Sequence, residues 1–401
     1  MLDADRCVER LAQLAVRQGA NVQPGQIVAI SSEPGKEALT RAIAREAYAA
    51  GAKFVDLSVF DIHLKRARAL HAARDTLSYV PPWIGQRILE LGRHHAARIS
   101  LSGPVEPHLL DDVDPSLLAL DQLPRVPESM QVVNDATTNW TIVPCPTPGW
   151  ATLVHPQLAP DEALRRLWQQ VAHACRLDEE DPLAAWRSRT AQLVRVSETL
   201  SGMALDAVRL HGPGTELTVG LLPSSRWIAA QFKTVDGIEH QPNIPTEEVF
   251  TTPDPERVEG EVRATKPLFT SGTTVTGLRV RFEHGRAVSI DADRGAEVVR
   301  GLAQTDEGAA RVGEIALVDR EGRIGPLATV FYDTLLDENA ASHLALGGGY
   351  NMGVGDQADL ERVNRSAIHL DFMVGGDEVD VDGLFADGRT VPLLRQGRWL
   401  I

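Results

Sequence analysis

The chain has 401 residues, 43% of them hydrophobic and 24% charged, and a formal net charge of −15. That length allows two ordinary domains, each with its own core, and the composition is that of a folded, soluble chain. So acidic a balance argues against nucleic acid or an anionic membrane as partner, since both demand clustered cations, and would suit a cationic substrate such as a free amino terminus.

The first residues, Met1 to Arg10, carry charge and no apolar core, so no signal peptide is expected there. A helix is expected over 8–17, a buried strand over 26–30, an alanine-rich helix over 36–50 closed by Gly51, and a second strand over 53–57. A helix over 83–91 and a strand over 97–101 follow, which makes the first half an α/β domain with a parallel sheet. The turn Ser31-Ser-Glu-Pro-Gly-Lys36 lacks the spacing of a phosphate loop. Trp140 to Trp150 reads as a proline-rich loop. With His155, its tryptophans are candidates for a substrate-pocket wall or for buried loop packing. Helices over 161–176 and 182–202 would bridge the domains.

After about residue 205 the pattern turns strand-rich, with a strand over 217–221, a hairpin over 277–291 turning at His284-Gly285, and one helix over 294–303. The division expected is 1–204, α/β, and 205–401, α+β and strand-rich. Cys7, Cys145 and Cys175 are widely spaced and form no CxxC, which points to a reducing compartment. No apolar run of about 18 residues is present, so no membrane span is expected and the cytoplasm is the default.

The residues with metal chemistry lie in the second half. In the strand-like stretch 366–375, Ile368, Leu370, Phe372 and Val374 share one face while His369 and Asp371 share the other. Residues so placed stand roughly 6–7 Å apart at the backbone. That suits ligands of one ion, or of a pair about 3.5–4 Å apart; a plain His–Asp hydrogen bond on a wet face is the alternative. Alternation over 311–319 puts Glu314 beside Val312, Ala316 and Val318, where a carboxylate must be neutralised, paired with an arginine or bound to metal. His343 is expected on a short helix starting near Asp337 or Asn339 and ended by Gly347-Gly-Gly349, a run that frees Tyr350 to reach inward. Glu248 falls in a loop pinned by Pro242, Pro245 and Pro253. His94, His95, His211 and His284 have no partner at metal spacing and read as structural.

Four strings in this order, Asn243 to Pro253, Gly313 to Val318, Asp337 to Gly347 and Asn364 to Val374, closely resemble the aminopeptidase T family of metallopeptidases. The likeness extends to Asn21–Gln26 and Trp140–Trp150, so it covers nearly the whole chain. The resemblance implies a thermophilic-metalloprotease-like two-domain fold and two divalent ions, held by Glu248, Glu314, His343, His369 and Asp371, with Tyr350 assisting. It also implies that Glu248 bridges the ions, and a homodimer enclosing the site. The family carries a longer acidic loop after that tyrosine, and often Ala-Tyr-Pro where this chain has Gly349-Tyr-Asn351, so the pocket near Tyr350 is expected to differ.

The function expected is metal-dependent removal of N-terminal residues from peptides with a free amino terminus, through a water activated by two metals; Tyr350 and Glu248 are the candidate catalytic residues. Mixed nitrogen and oxygen ligands fit Zn²⁺, Co²⁺ or Mn²⁺, and the absence of HExxH argues against the common single-zinc arrangement. The alternatives are a metal-dependent hydrolase of another small amide, and a non-catalytic peptide-binding protein. The second would predict substitutions among the candidate ligands. Histidine ligation predicts activity falling below about pH 6.

Overall fold

The computed structural model describes residues 3–121, 123–124, 126–229, 231–270 and 273–401. The chain forms two compact units, residues 1–187 with 231–245, and residues 188–230 with 246–401. The division expected at residue 204 differs from this in two respects. The helix Pro182–Met203 passes into the second unit from residue 188, and the segment 231–245 returns to the first.

The first unit contains a four-stranded, wholly parallel sheet with Ile27–Ser32 and Ala97–Ser102 at its centre, flanked by Phe54–Val59 and Trp140–Pro144. Parallel pairing follows from the intervening helices Glu37–Ala49 and Pro82–Arg93, which carry the chain back across the sheet. The expected proline-rich loop is largely regular instead. Trp140 opens a strand, and Trp150 is fully buried on the helix Pro148–Val154. His155 is buried and its Nε2 lies 2.7 Å from Gln170 Oε1, which gives it a packing role within this unit.

The second unit carries two main sheets, both antiparallel. The eight-stranded one includes the hairpin Arg279–Glu283/Arg286–Asp291, whose turn residues His284 and Gly285 have φ of 49° and 75°. Both left-handed values match the tight two-residue hairpin turn read from the sequence. The five-stranded sheet runs His369–Met373, His343–Gly347, Val312–Val318, Glu248–Thr251, Ile228–Ala229. Val249, Ile315, Leu344, Leu346, Leu370 and Phe372 from this sheet all enter the unit's hydrophobic core. Those residues alternate with the candidate ligands, so one face of the sheet is apolar and the other is left for chemistry. Among the described residues, no helix is long and apolar enough to cross a membrane.

Candidate metal centre

Register places the five candidate ligands on one face of the five-stranded sheet. Glu314 and Asp371 both pair opposite Ala345, and His369 pairs opposite Gly347. His343 pairs opposite Ala316, which in turn pairs with Phe250, two residues after Glu248. Residues paired across strands, or two apart along one, share a face. Opposite the ligands on the two central strands stand Ala316, Ala345 and Gly347, whose small size leaves room above that part of the sheet.

Two local readings are corrected. His343 opens a strand rather than sitting on a helix; the helical turns Thr334–Asp337 and Glu338–Ala340 end before it. Glu248 likewise opens a buried strand rather than lying in a loop. In both cases pairing with Val312–Val318 overrides the weak local signal. Val312 is not on the face of Glu314, because the register shifts between them and Val312 pairs with core-facing Leu346. Gly313 sits at that shift, where a Cβ would stand 2.3 Å from the Gly347 carbonyl oxygen. Gly347 has φ +107°, and a Cβ there would meet the Ile368 carbonyl at 2.2 Å. Both positions demand glycine for close backbone approach.

The side chains converge. His343 Nε2 lies 3.1 Å from Glu248 Oε2 and 3.8 Å from Glu314 Oε1. His369 Nε2 lies 3.5 Å from Glu314 Oε2 and 3.3 Å from Asp371 Oδ1. Each histidine faces a backbone carbonyl with its other nitrogen: His343 Nδ1–H donates to Ala341 at 3.2 Å and His369 Nδ1–H to Gly348 at 2.7 Å. A carbonyl only accepts, so Nδ1 carries a proton and each Nε2 is the nitrogen that faces the carboxylates; once Nε2 sheds its own proton, the tautomer left is the one a metal requires.

A sixth residue and fourth carboxylate, absent from the sequence reading, faces the same cluster. Burial, together with the charges of Asp371 and Glu248, pushes the Glu338 carboxyl well above its ordinary value. No periodicity marks Glu338, which comes from the turn preceding the His343 strand. Its signal was its place inside the string Asp337 to Gly347.

Electrostatics test whether these residues suit a metal. Burial raises Glu314. Burial opposes the charge on both histidines, yet the facing carboxylates outweigh it, holding His343 well above its ordinary value and His369 up to about 10. Glu248 Oε2, Glu314 Oε2 and Asp371 Oδ1 are buried and lie against the histidine Nε2 atoms without a well-aligned hydrogen bond. Buried carboxylate oxygens left unsatisfied cost several kcal/mol each unless a cation offsets them. Atoms of Glu248, Glu314 and His343 lie within 4.8 Å of one another, close enough to share an ion. The donor set fits divalent metal.

In metal-free protein the cluster is held together by protons. The proton on His369 contributes stability that is complete below the ordinary histidine value of 6.5 and is lost as pH rises through about 10. Melting of metal-free protein is therefore expected to fall from pH 7 to pH 9.5, while the rise in Tm on adding Zn²⁺ grows over the same range. A metal increment that does not change with pH would contradict this. Proton competition thus reaches higher than the pH 6 suggested by free histidine.

Tyr350 borders the cluster. Its ring centroid lies 5.1 Å from that of His369 and 5.9 Å from that of Phe250. Its backbone oxygen accepts from Thr252 Oγ1 at 2.6 Å, and the preceding glycines are tied to Ile368 and Asn364. Burial and then the charge of Glu314 raise the phenol well above its ordinary value, so it keeps its proton and can donate. A cavity of about 680 Å³ in the same unit, lined in part by Thr265, Lys266, Asp319 and Asn339, includes none of the candidate ligands. Of the remaining histidines, His211 Nε2 pairs with Asp382 at 3.1 Å, and His95 and His284 pair with Asp236 and Glu259.

The family model described as thermophilic metalloprotease (M29) matches residues 4–399. Aminopeptidase T of Thermus thermophilus is 40% identical, with 99% of each chain covered. Aminopeptidase PepS of Streptococcus thermophilus is 35% identical, with 98% of each covered. The solved structure of wild-type AmpT from Thermus thermophilus superposes with a TM-score of 0.93 over 100% of both chains. The α/β parallel-sheet unit, the antiparallel strand-rich unit and the full-length match together make this chain a member of the M29 thermophilic metalloprotease family.

Proposed function

We propose that the chain is a metallo-aminopeptidase that hydrolyses the first peptide bond of peptides with a free amino terminus, using two divalent ions that would be held by Glu248, Glu314, His343, His369 and Asp371, with Glu338 as an additional carboxylate. The observation that carries this is the convergence of buried carboxylates and two Nε2 atoms on one sheet face, where three carboxylate oxygens lie against the imidazoles without a well-aligned hydrogen bond. Four carboxylates facing two neutral imidazoles carry a charge that two divalent ions balance. Bound ions would supply an acidified water and polarise the scissile carbonyl. The chain's own residues do the rest. His343 and His369 are oriented by the Ala341 and Gly348 carbonyls, and Tyr350 presents a phenolic proton beside them. Zn²⁺, Co²⁺ and Mn²⁺ all suit such mixed ligands.

The test is a comparison of amino-acid anilides with their N-acetylated counterparts after chelation and return of metal. Hydrolysis should vanish with chelator, return with the ion, and favour the free amine strongly. Equal cleavage of both substrates would point instead to a hydrolase of other amides.

The proposed assembly is a homodimer. The edge strand Phe54–Val59 exposes Phe54, Leu57 and Val59, and Trp83 is exposed in the same unit. Exposed apolar strand edges favour association. A sedimentation run giving only monomer at micromolar concentration would contradict this. A cytoplasmic location is proposed on the wide spacing of Cys7, Cys145 and Cys175 in a sequence without CxxC.

A further inference from the structure

One buried ionic network lies beside the metal centre without touching it. Arg189 Nε donates to Glu247 Oε2 at 2.7 Å, while its Nη2 and Nη1 form a fork on Asp319 at 2.8 and 3.1 Å. The three side chains are 4%, 0% and 1% exposed. Glu247 immediately precedes Glu248, and Asp319 immediately follows Val318, the residue that pairs with Glu248. Arg189 therefore fastens the end of the strand pair from which Glu248 projects. The same segment is gripped from the other side: the Glu247 backbone N–H donates to Asn339 Oδ1 at 2.6 Å. Asn339 is fully buried, its Nδ2 donates to the Leu335 carbonyl at 3.1 Å, and it directly follows Glu338. One connected set of contacts thus fixes the neighbours of both Glu248 and Glu338.

A buried guanidinium shared by two carboxylates is a poor device for stability alone, because desolvation consumes most of the attraction. Its value lies in geometry. The planar fork fixes both partners at once, which an ammonium cannot do. We infer that Arg189 and Asn339 are positioning residues, which set the separation of Glu248 and Glu338 across the metal centre. The inference rests on the two-metal reading above. It assigns these residues no contact with substrate.

The experiment measures Zn²⁺ affinity, by competition with a chromogenic chelator, in the full-length wild type, Arg189→Lys and Asn339→Ala, together with the Tm of metal-free and Zn²⁺-loaded protein. Replacing groups that orient ligands typically costs about 10–100-fold in metal affinity. The expected result is a loss of that size in both variants, with a smaller rise in Tm on loading. A purely structural role predicts that both Tm values fall together while Zn²⁺ affinity stays at the wild-type value; that result overturns the inference. Arg189→Lys keeps the buried positive charge, so it provides the measurement if Asn339→Ala does not fold. Wild type that binds no Zn²⁺ would instead overturn the reading of the site, and this inference with it.

Discussion

His343→Ala is expected to abolish hydrolysis and to reduce bound metal together. His343 Nε2 lies between Glu248 and Glu314, so its removal takes a neutral donor from the point where the two glutamates meet. The carboxylates would then face one another with less to offset their repulsion, and their affinity for protons would rise at the expense of metal. The loss in kcat should exceed the roughly 10²–10³ that follows removal of a single transition-state donor. The side chain is 1% exposed, so a drop in stability is also expected, and the comparison must be made on folded protein. Circular dichroism with metal analysis separates the two effects. A folded His343→Ala protein retaining full metal and most of its activity would remove His343 from the site.

Tyr350→Phe should behave differently. Its phenol keeps its proton through neutral pH because burial and the surrounding carboxylates disfavour the anion. A phenol so placed can donate to the oxyanion of a tetrahedral intermediate, and losing one such donor costs about 10²–10³ in kcat. The ring would remain against His369 and Phe250, so metal content, Tm and KM should change little. Retention of most of kcat would mean that Tyr350 only packs beneath the loop that follows it. The two substitutions thus separate a ligand from a donor: one loses metal with activity, the other activity alone.

How much of this was legible in the sequence depended on the range of the interaction that decides each element. The pair His369 and Asp371 could be placed on one face because alternation within a single strand is local. The hairpin at His284-Gly285 and the parallel α/β half were readable for the same reason. His343 was misplaced on a helix because the acidic turn before it resembles a helix start, and the strand is created by pairing with residues 312–318. A signal was present there: His343, Ala345 and Gly347 alternate, and two small residues in step with a histidine mark an uncrowded face. The shift at Gly313, which moves Val312 away from Glu314, depends on the approach of the Gly347 carbonyl, about which local pattern says nothing. Glu338 lies in a turn with no periodicity and joins the cluster only through tertiary folding. Family resemblance supplied what local pattern could not, namely which distant acids and histidines belong together.

The most direct test of the two-metal centre is a count. Protein saturated with Zn²⁺ and freed of excess by gel filtration should contain two ions per chain by elemental analysis, and the Glu314→Gln variant should contain fewer. Glu314 is the decisive position because its two oxygens face His343 and His369 separately, at 3.8 and 3.5 Å. Two ions per wild-type chain, with loss on substituting Glu314, is the predicted result. One ion or none per wild-type chain, or two ions that survive Glu314→Gln undiminished, would contradict it.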